Sequence, residues 1–285
     1  MKPAFLILAH QDQPLLEILV KQLLSFGSVH IHLDQKSDIP VDFYPEHPNL
    51  HIYKKYSIRW GHWSMVEATN FLAESALASG ATYLNYLSGI TLPIVSNSDF
   101  RAFLNEEANY FEANLVTDED FANRPRHFQR RFTHRYIAFK SRRNLLGRIQ
   151  RRLMREIFAR TPKLDFKKML GDVTLAHGIG FWSVTSDMYR SAMKIAEVRP
   201  SLVKYFKITE ISDETYFQSL FRKVAAPKLN TARTFVDWGA KQTPEFVNSD
   251  HLKRLRDVEE YIFARKFTSS HPEVISEVQS IWNEE

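Results

Sequence analysis

Two periods of apolar and polar positions alternate along this chain. Residues Ala4-Phe5-Leu6-Ile7-Leu8-Ala9 are an unbroken apolar run, the pattern of a strand buried on both faces. From Pro14 to Phe26 the apolar positions Leu15, Leu16, Ile18, Leu19, Leu23 and Leu24 fall at helical spacing. Val29, Ile31 and Leu33 then alternate with His30 and His32, a second strand that ends at Asp34-Gln35-Lys36-Ser37. Strand, helix and strand in this order predict a parallel pair joined by a right-handed crossover.

The pattern repeats further on. A short apolar stretch at His51-Ile52-Tyr53 precedes Arg59-Trp60-Gly61-His62-Trp63-Ser64. Val66 to Leu77 then reads as a helix, with Ser64 as its N-cap and Glu67 three residues later. Tyr83 to Leu87 reads as a strand, Ser88 to Pro93 as a loop at its carboxyl end, and Ser96 to Asn105 as a short helix. Phe181 to Val184 predicts another strand, and 187–197 and 213–223 two more helices. The whole predicts an α/β fold in which loops at the carboxyl ends of the strands build the ligand crevice.

Composition narrows the class. With 285 residues, 44% of them hydrophobic and 25% charged, and only 9 Gly and 12 Pro, disorder and collagen-like repeats are excluded. No repeat or linker divides the chain, so residues 1–285 are expected to form one domain. The absence of cysteine removes disulfides, zinc-thiolate sites and thiol nucleophiles. No stretch approaches the roughly 20 apolar residues of a membrane-spanning helix, and the first apolar run is shorter than that of a signal peptide. The expectation is a cytoplasmic protein, at most peripheral to the inner membrane.

Charge is unevenly placed. The chain carries a net +5, yet residues 123–163 alone hold fourteen Lys and Arg against one acid, Glu156. Phe128, Phe132, Tyr136, Phe139 and Phe158 are interleaved with these cations, a mixture that also suits nucleic acid. No nucleic-acid motif accompanies them. Leu145, Leu146, Ile149, Leu153 and Ile157 instead set an apolar stripe beside the basic residues, as on helices lying at anionic membrane surfaces. A solvated helix docked on the core is the plainer alternative.

Several chemistries are excluded by missing motifs. There is no G-x-x-x-x-G-K-[ST] loop, and the one G-x-G, Gly178-Ile179-Gly180, lacks the third glycine of a dinucleotide site. No G-x-S-x-G elbow is present. His30 and His32 share one face of a strand, where satisfied polar residues are the plainer reading. Asp118-Glu119-Asp120 has the D-x-D form that sugar-nucleotide enzymes use for a divalent ion, although hard cations need several converging oxygens. A third constellation joins Ser212-Asp213-Glu214 to Arg233 and to Lys266 in Phe263-Ala264-Arg265-Lys266-Phe267. Helix capping by Ser212 or Asp213, with Glu214 in the first turn, accounts for the carboxylates without any chemistry.

Those residues also carry a resemblance. With Leu6-Ile7-Leu8-Ala9-His10, Ile31-His32-Leu33-Asp34-Gln35-Lys36-Ser37, Arg59-Trp60-Gly61, Leu87-Ser88-Gly89, Phe181-Trp182 and Asp237-Trp238 in order, the chain resembles glycosyltransferase family 14. This family holds the core-2/I-branching β-1,6-N-acetylglucosaminyltransferases and peptide O-xylosyltransferases. The resemblance implies a GT-A-type nucleotide-sugar-binding fold, with a mostly parallel central sheet flanked by helices. It implies a UDP-sugar donor, inversion to a β-linkage, and no metal or other cofactor.

It also implies site roles. Glu214 is the general base that removes the acceptor hydroxyl's proton, and Arg233 and Lys266 stabilise the departing diphosphate where a metal otherwise would. Asp34 contacts the nucleoside, with His10 and Arg59 nearby. Glu112, Arg124, Arg126 and Trp238 are acceptor candidates. The family's Ser-Gly-Gln-Asp-Tyr-Pro is Ser88-Gly89-Ile90-Thr91-Leu92-Pro93 here, so the polar pair near the donor-acceptor junction is missing. The expected reaction moves N-acetylglucosamine or xylose to an oligosaccharide or lipid-linked glycan in bacterial surface polysaccharide synthesis, with membrane contact through 123–163 and no nucleic acid partner. The alternatives are a metal-dependent transferase using Asp118 and Asp120, and a nucleic-acid-binding protein using the basic segment.

Overall fold

The first apolar run is the centre of the main sheet. A computed structural model describes residues 1–137, 149, 152–154, 156–158, 160–225, 230–239, 243–258 and 260–284. Strand β1 (Pro3–Ala9) lies between β2 (Ser28–Leu33) and β4 (Tyr83–Ser88), parallel to both, and β3 (Leu50–Tyr53) extends the sheet beyond β2. All four run the same way, as strand-helix-strand order requires. The chain first winds outward from β1 to β3 and then returns to β4 on the other side, which opens a crevice where the direction of winding reverses.

Beyond β4 the sheet changes character. Strand β9 (Trp182–Thr185) pairs antiparallel with β4, and the two-residue β6 (Tyr110–Phe111) forms the edge, giving the order β3-β2-β1-β4-β9-β6. The residues expected to be a loop after β4 instead include β5 (Thr91–Pro93). It pairs with β11 (Phe263–Arg265), which in turn pairs with β10 (Thr234–Val236). A third, two-stranded ladder joins β7 (Asn114–Leu115) to β8 (Ala176–His177).

Helices cover both faces. Helix α1 (Gln13–Leu24) buries Leu15, Leu16, Leu19, Val20 and Leu23, each worth roughly 2 kcal/mol of transfer free energy. Its N-cap is Asp12, whose carboxylate accepts from the Leu15 N–H. On this face α3 (Asn97–Leu104) and the C-terminal helix Pro272–Trp282 complete one core around Phe5, Phe100 and Val278. Helix α2 (Ser64–Ala78) lies on the opposite face with helices Ser186–Glu197, Pro200–Lys207 and Tyr216–Ala225, around Leu6, Trp182 and Phe217. Trp63 is the N-cap position of α2; Ser64, expected there, is the first helical residue and accepts from the Arg59 N–H at 3.0 Å.

The two histidines of β2 lie inside the fold, with the His32 Nδ1 unpartnered among the described residues. Both are fully buried; His30 bonds Ser75 and Ser28 at 3.1 and 3.2 Å, and the His32 Nε2 accepts from the Tyr56 N–H at 2.8 Å. Of the basic segment, α4 (Asp118–Asn123) and α5 (Arg126–Thr133) dock on the body, α5 through buried Phe128 and Phe132. Phe139, Lys140, Arg142, Arg143, Leu145, Leu146, Arg148, Arg151 and Arg155 lie outside the described residues.

Candidate functional site

The carboxyl ends of β1, β2 and β4 face one crevice, and two groups of polar side chains meet there. The first lies after β1 and β2. The Asp34 N–H donates to the Ala9 carbonyl at 2.9 Å, and the Ser37 hydroxyl donates to the His10 carbonyl at 3.0 Å. Lys36 reaches both Asp34 oxygens, at 2.9 and 2.8 Å, and the carbonyl of Ile58. Burial lowers the His10 pKa, against the opposing pull of the Asp34 carboxylate. Asp34 and His10 are therefore together as the sequence suggested, with Lys36 already closed on the carboxylate.

The loop carrying Arg59 joins this pocket to the second group. The Ile58 N–H donates to Asp34 at 3.3 Å, and three residues later the Gly61 carbonyl accepts from the Ile211 N–H at 2.7 Å. Gly61 has φ +68°, a conformation open to glycine without strain.

Ile211 introduces the turn that bears Glu214. Ser212–Glu214 form a single 3-10 turn ahead of the helix Tyr216–Ala225. They do not cap that helix in the way the plainer reading required. The Ser212 Oγ and the Asp213 Oδ1 are buried with no hydrogen-bond partner among the described residues, a costly arrangement that a purely structural cap would avoid. Burial raises the pKa of Asp213 to about 6, and burial together with the neighbouring Asp213 pushes Glu214 up to about 8.

Three further elements close around this pair. The Gly178 N–H donates to the Glu214 carbonyl at 3.0 Å, and the next N–H, of Ile179, donates to the Glu112 carboxylate at 3.1 Å. Gly178 is obligatory, since a Cβ there would sit 2.2 Å from the Glu112 carbonyl. The Gln218 amide anchors the same segment by donating to the Ile179 carbonyl at 2.8 Å. The charges of Arg131, Glu112 and Arg265 all act on Glu214. Arg265 lies over the Phe181 ring at 4.7 Å, its Nε is buried without a partner among the described residues, and burial lowers its pKa. Burial, and then Arg265, also lower that of Lys266.

This arrangement can move a proton from a bound hydroxyl to a desolvated carboxylate and hold an anion against Arg265 and Lys266. Arg233 is placed differently. Register sets Thr234 opposite Phe263 and Val236 opposite Arg265, so Arg233 lies about four residues, roughly 13 Å of strand, from the position facing Lys266. Its guanidinium donates to the Glu260 carbonyl at 2.9 Å and to the Tyr110 hydroxyl at 3.3 Å, over the Tyr110 ring. The structure does not bring Arg233 beside Lys266.

The acceptor candidates also separate. Glu112 adjoins Glu214 through Gly178 and Ile179. Arg124 pairs with Asp120 at 2.7 Å, stacks on Phe128, and is one of the charges felt by His177, the neighbour of Gly178. Arg126 is exposed in the first turn of α5. Trp238 is 46% exposed after β10, and the Glu245 backbone bridges Asp237 and Lys266 at 2.8 and 3.4 Å. Asp118 and Asp120 are engaged elsewhere: Asp120 completes the Thr117 capping box of α4, and Asp118 pairs with Lys167 at 3.2 Å. Sequence reasoning assigned no role to Arg265, Arg131 or Gly178. Only Arg265 left a signal, as the cation preceding Lys266 in an otherwise apolar strand.

A family model described as "Branch: Core-2/I-Branching enzyme" matches residues 3–260. No curated protein matches the chain. Among solved structures, 4-diphosphocytidyl-2C-methyl-D-erythritol synthase is 11% identical at a TM-score of 0.40, covering 90% of this chain and 98% of that one. Mannose-1-phosphate geranyltransferase from Thermus thermophilus is 10% identical at 0.35, covering 77% and 72%. Likeness of that degree carries no argument.

Proposed function

The chain belongs to the Core-2/I-branching enzyme family, glycosyltransferase family 14, and is a nucleotide-sugar-dependent glycosyltransferase; from this premise we propose that it moves a sugar from a UDP-sugar to a glycan hydroxyl with inversion, forming a β-linkage without a metal. N-acetylglucosamine and xylose are the donor sugars of this reading. The acceptor is an oligosaccharide or lipid-linked glycan of bacterial surface polysaccharide synthesis, glycosylated on the cytoplasmic side of the membrane.

The observation that carries the reading is the half-buried Glu214 carboxyl, desolvated beside the buried Asp213 and within the field of Arg265. A base of raised pKa in a desolvated site matches removal of a proton from an alcohol in the transition state. Glu214 takes the acceptor proton as the hydroxyl oxygen attacks the anomeric carbon. The bond to the diphosphate breaks, and the leaving group's charge develops against Lys266 and Arg265. Preorganised cations of this kind act on the transition state more than on the ground state. Asp34 and His10 hold the nucleoside, with Arg59 beside them. Glu112 orients the acceptor, with Arg124, Arg126 and Trp238 at its rim. Arg233, from its place in the ladder, supports the strand that carries Lys266.

Calorimetric titration with UDP in excess EDTA tests this. Binding is expected without metal, weakened about tenfold to a hundredfold in Lys266→Ala and nearly unchanged in Arg233→Ala. Binding that requires added manganese would refute the metal-free site. Weakening by Arg233→Ala alone would return the diphosphate to Arg233.

A further inference from the structure

Two backbone hydrogen bonds to the body bracket the most basic part of the chain. The Tyr136 N–H donates to the Ile208 carbonyl at 2.8 Å, and the Leu164 N–H donates to the Thr133 carbonyl at 2.8 Å. Between these two bonds, residues 137–163 carry nine Lys and Arg against Glu156, a net +8, which leaves −3 for the rest of a chain whose total is +5. Ile208 begins the stretch that runs on to Ser212–Glu214, so the neck of the excursion adjoins the catalytic turn.

Three exposed aliphatic residues of this excursion fall at helical spacing. Residues 149, 152–154 and 156–158 are helical, and the Arg160 N–H closes the end on the Ile157 carbonyl at 3.1 Å. Met154 and Phe158, four apart, are half-buried. Ile149, Leu153 and Ile157, also four apart, are 55%, 59% and 44% exposed, and Ile137 is 46% exposed. Residues at this spacing lie on one side of a helix. Arg152, Arg160 and Lys163 are exposed on the same excursion, and Arg135 is exposed just before it.

We propose that Ile149, Leu153 and Ile157 insert into the interface of an anionic lipid bilayer, with Arg152, Arg160 and Lys163 on its headgroups, so that the catalytic crevice is held at the membrane. Aliphatic side chains gain from the acyl boundary and the cations from acidic headgroups, and a bilayer offers both at once. A nucleic acid offers phosphates to the cations but little to exposed isoleucine and leucine, which cannot stack on bases as aromatic rings do. A second copy of the chain related by a twofold axis would set this +8 segment against its own image. The inference rests on the transferase reading only for its consequence, delivery of a membrane-held acceptor; the binding itself is independent of donor chemistry.

Flotation with phosphatidylcholine vesicles, with and without phosphatidylglycerol, tests it on the full chain. The protein is expected to float only with the anionic vesicles. Binding should fall roughly fivefold for each of Arg152→Gln and Arg160→Gln and at least about tenfold in Ile149→Ser/Leu153→Ser/Ile157→Ser. Because these side chains are exposed, the triple variant should keep its thermal transition and its UDP affinity. Retained UDP affinity separates failure of this inference from failure of the donor site. Absence of flotation, equal flotation with uncharged vesicles, or full binding by the triple variant would overturn the proposal. So would salt-sensitive oligonucleotide binding in place of vesicle binding, or a dimer in light scattering that the triple substitution dissociates.

Discussion

Replacing Glu214 with Gln should make the protein both slower and, at alkaline pH, more stable. Glu214 is half-buried, and its carboxyl is raised to about 8 from 4.5, first by desolvation and then by Asp213. A folded-state pKa above the unfolded one means that the folded protein holds the proton more tightly. That contribution to stability is complete below about pH 4.5 and is lost as pH rises through about 8. At about 1.4 kcal/mol per pH unit, a carboxyl shifted this far costs on the order of a few kcal/mol once ionised. Glutamine keeps the shape and never ionises, so at about pH 9 the variant should gain about 1 to 3 kcal/mol, a rise of several degrees in Tm. At about pH 3.5, below both pKa values, the carboxyl is protonated in the folded and unfolded chains alike, and the two proteins should melt together. In a UDP-release assay the same variant should lose roughly a hundredfold to ten-thousandfold in kcat, the usual contribution of a general base. The native kcat/KM should rise with pH as the carboxyl ionises. Thermal melts at the two pH values decide the physical part: an equal shift at both, or a loss at high pH, would mean that Glu214 is not desolvated.

Two further outcomes follow from the same geometry. Gly178→Ala forces a Cβ to within 2.2 Å of the Glu112 carbonyl; a loss of roughly 2 to 4 kcal/mol is expected in denaturant unfolding, with activity falling further as the Glu214 turn is displaced. A stable, fully active Ala variant would refute the close approach. His30 is held neutral by burial, its pKa lowered to about 3 from 6.5, with His51 stacked at 4.5 Å. A depressed histidine contributes stability that is present above about pH 6.5 and lost as pH falls towards about 3. His30→Asn should therefore flatten the acid limb of a Tm-against-pH curve, and an unchanged limb would assign it to other groups.

The main sheet was readable where pattern and length agree. Ala4 to Ala9 and Val29 to Leu33 are long enough for an apolar run or an alternation to be seen, and the apolar face of α1 recurs over about three turns. The second sheet was not, because β5, β10 and β11 have three residues each. No period can be read from three residues, and their pairing joins Thr91 to Arg265 across most of the chain. The site divides in the same way. Glu214, Asp34 and Lys266 were visible as motif positions. The separation of Arg233 from Lys266 depends on the β10–β11 register, and the closeness of Glu112 to Glu214 on a backbone approach that only Gly178 permits; neither leaves a local trace.

The turn carrying Glu214 is held against its own preferences. Ile211, a β-branched residue, sits at φ 58°, in a region that costs an L-residue about 1 to 2 kcal/mol. The buried Ser212 Oγ and Asp213 Oδ1, without partners among the described residues, add about 1 to 3 kcal/mol each, and the Asp213 carboxyl raises the cost of ionising Glu214 beside it. Such costs persist only where the surroundings fix the backbone, and here three hydrogen bonds do so: Ile211 to Gly61, Gly178 to Glu214 and Gln218 to Ile179. The first of these belongs to the loop whose Ile58 N–H is bound by Asp34. Residues 58–61 thus join Asp34 at one end to the turn that bears Glu214 at the other, so that under the proposed function the donor site and the base are held by one short loop.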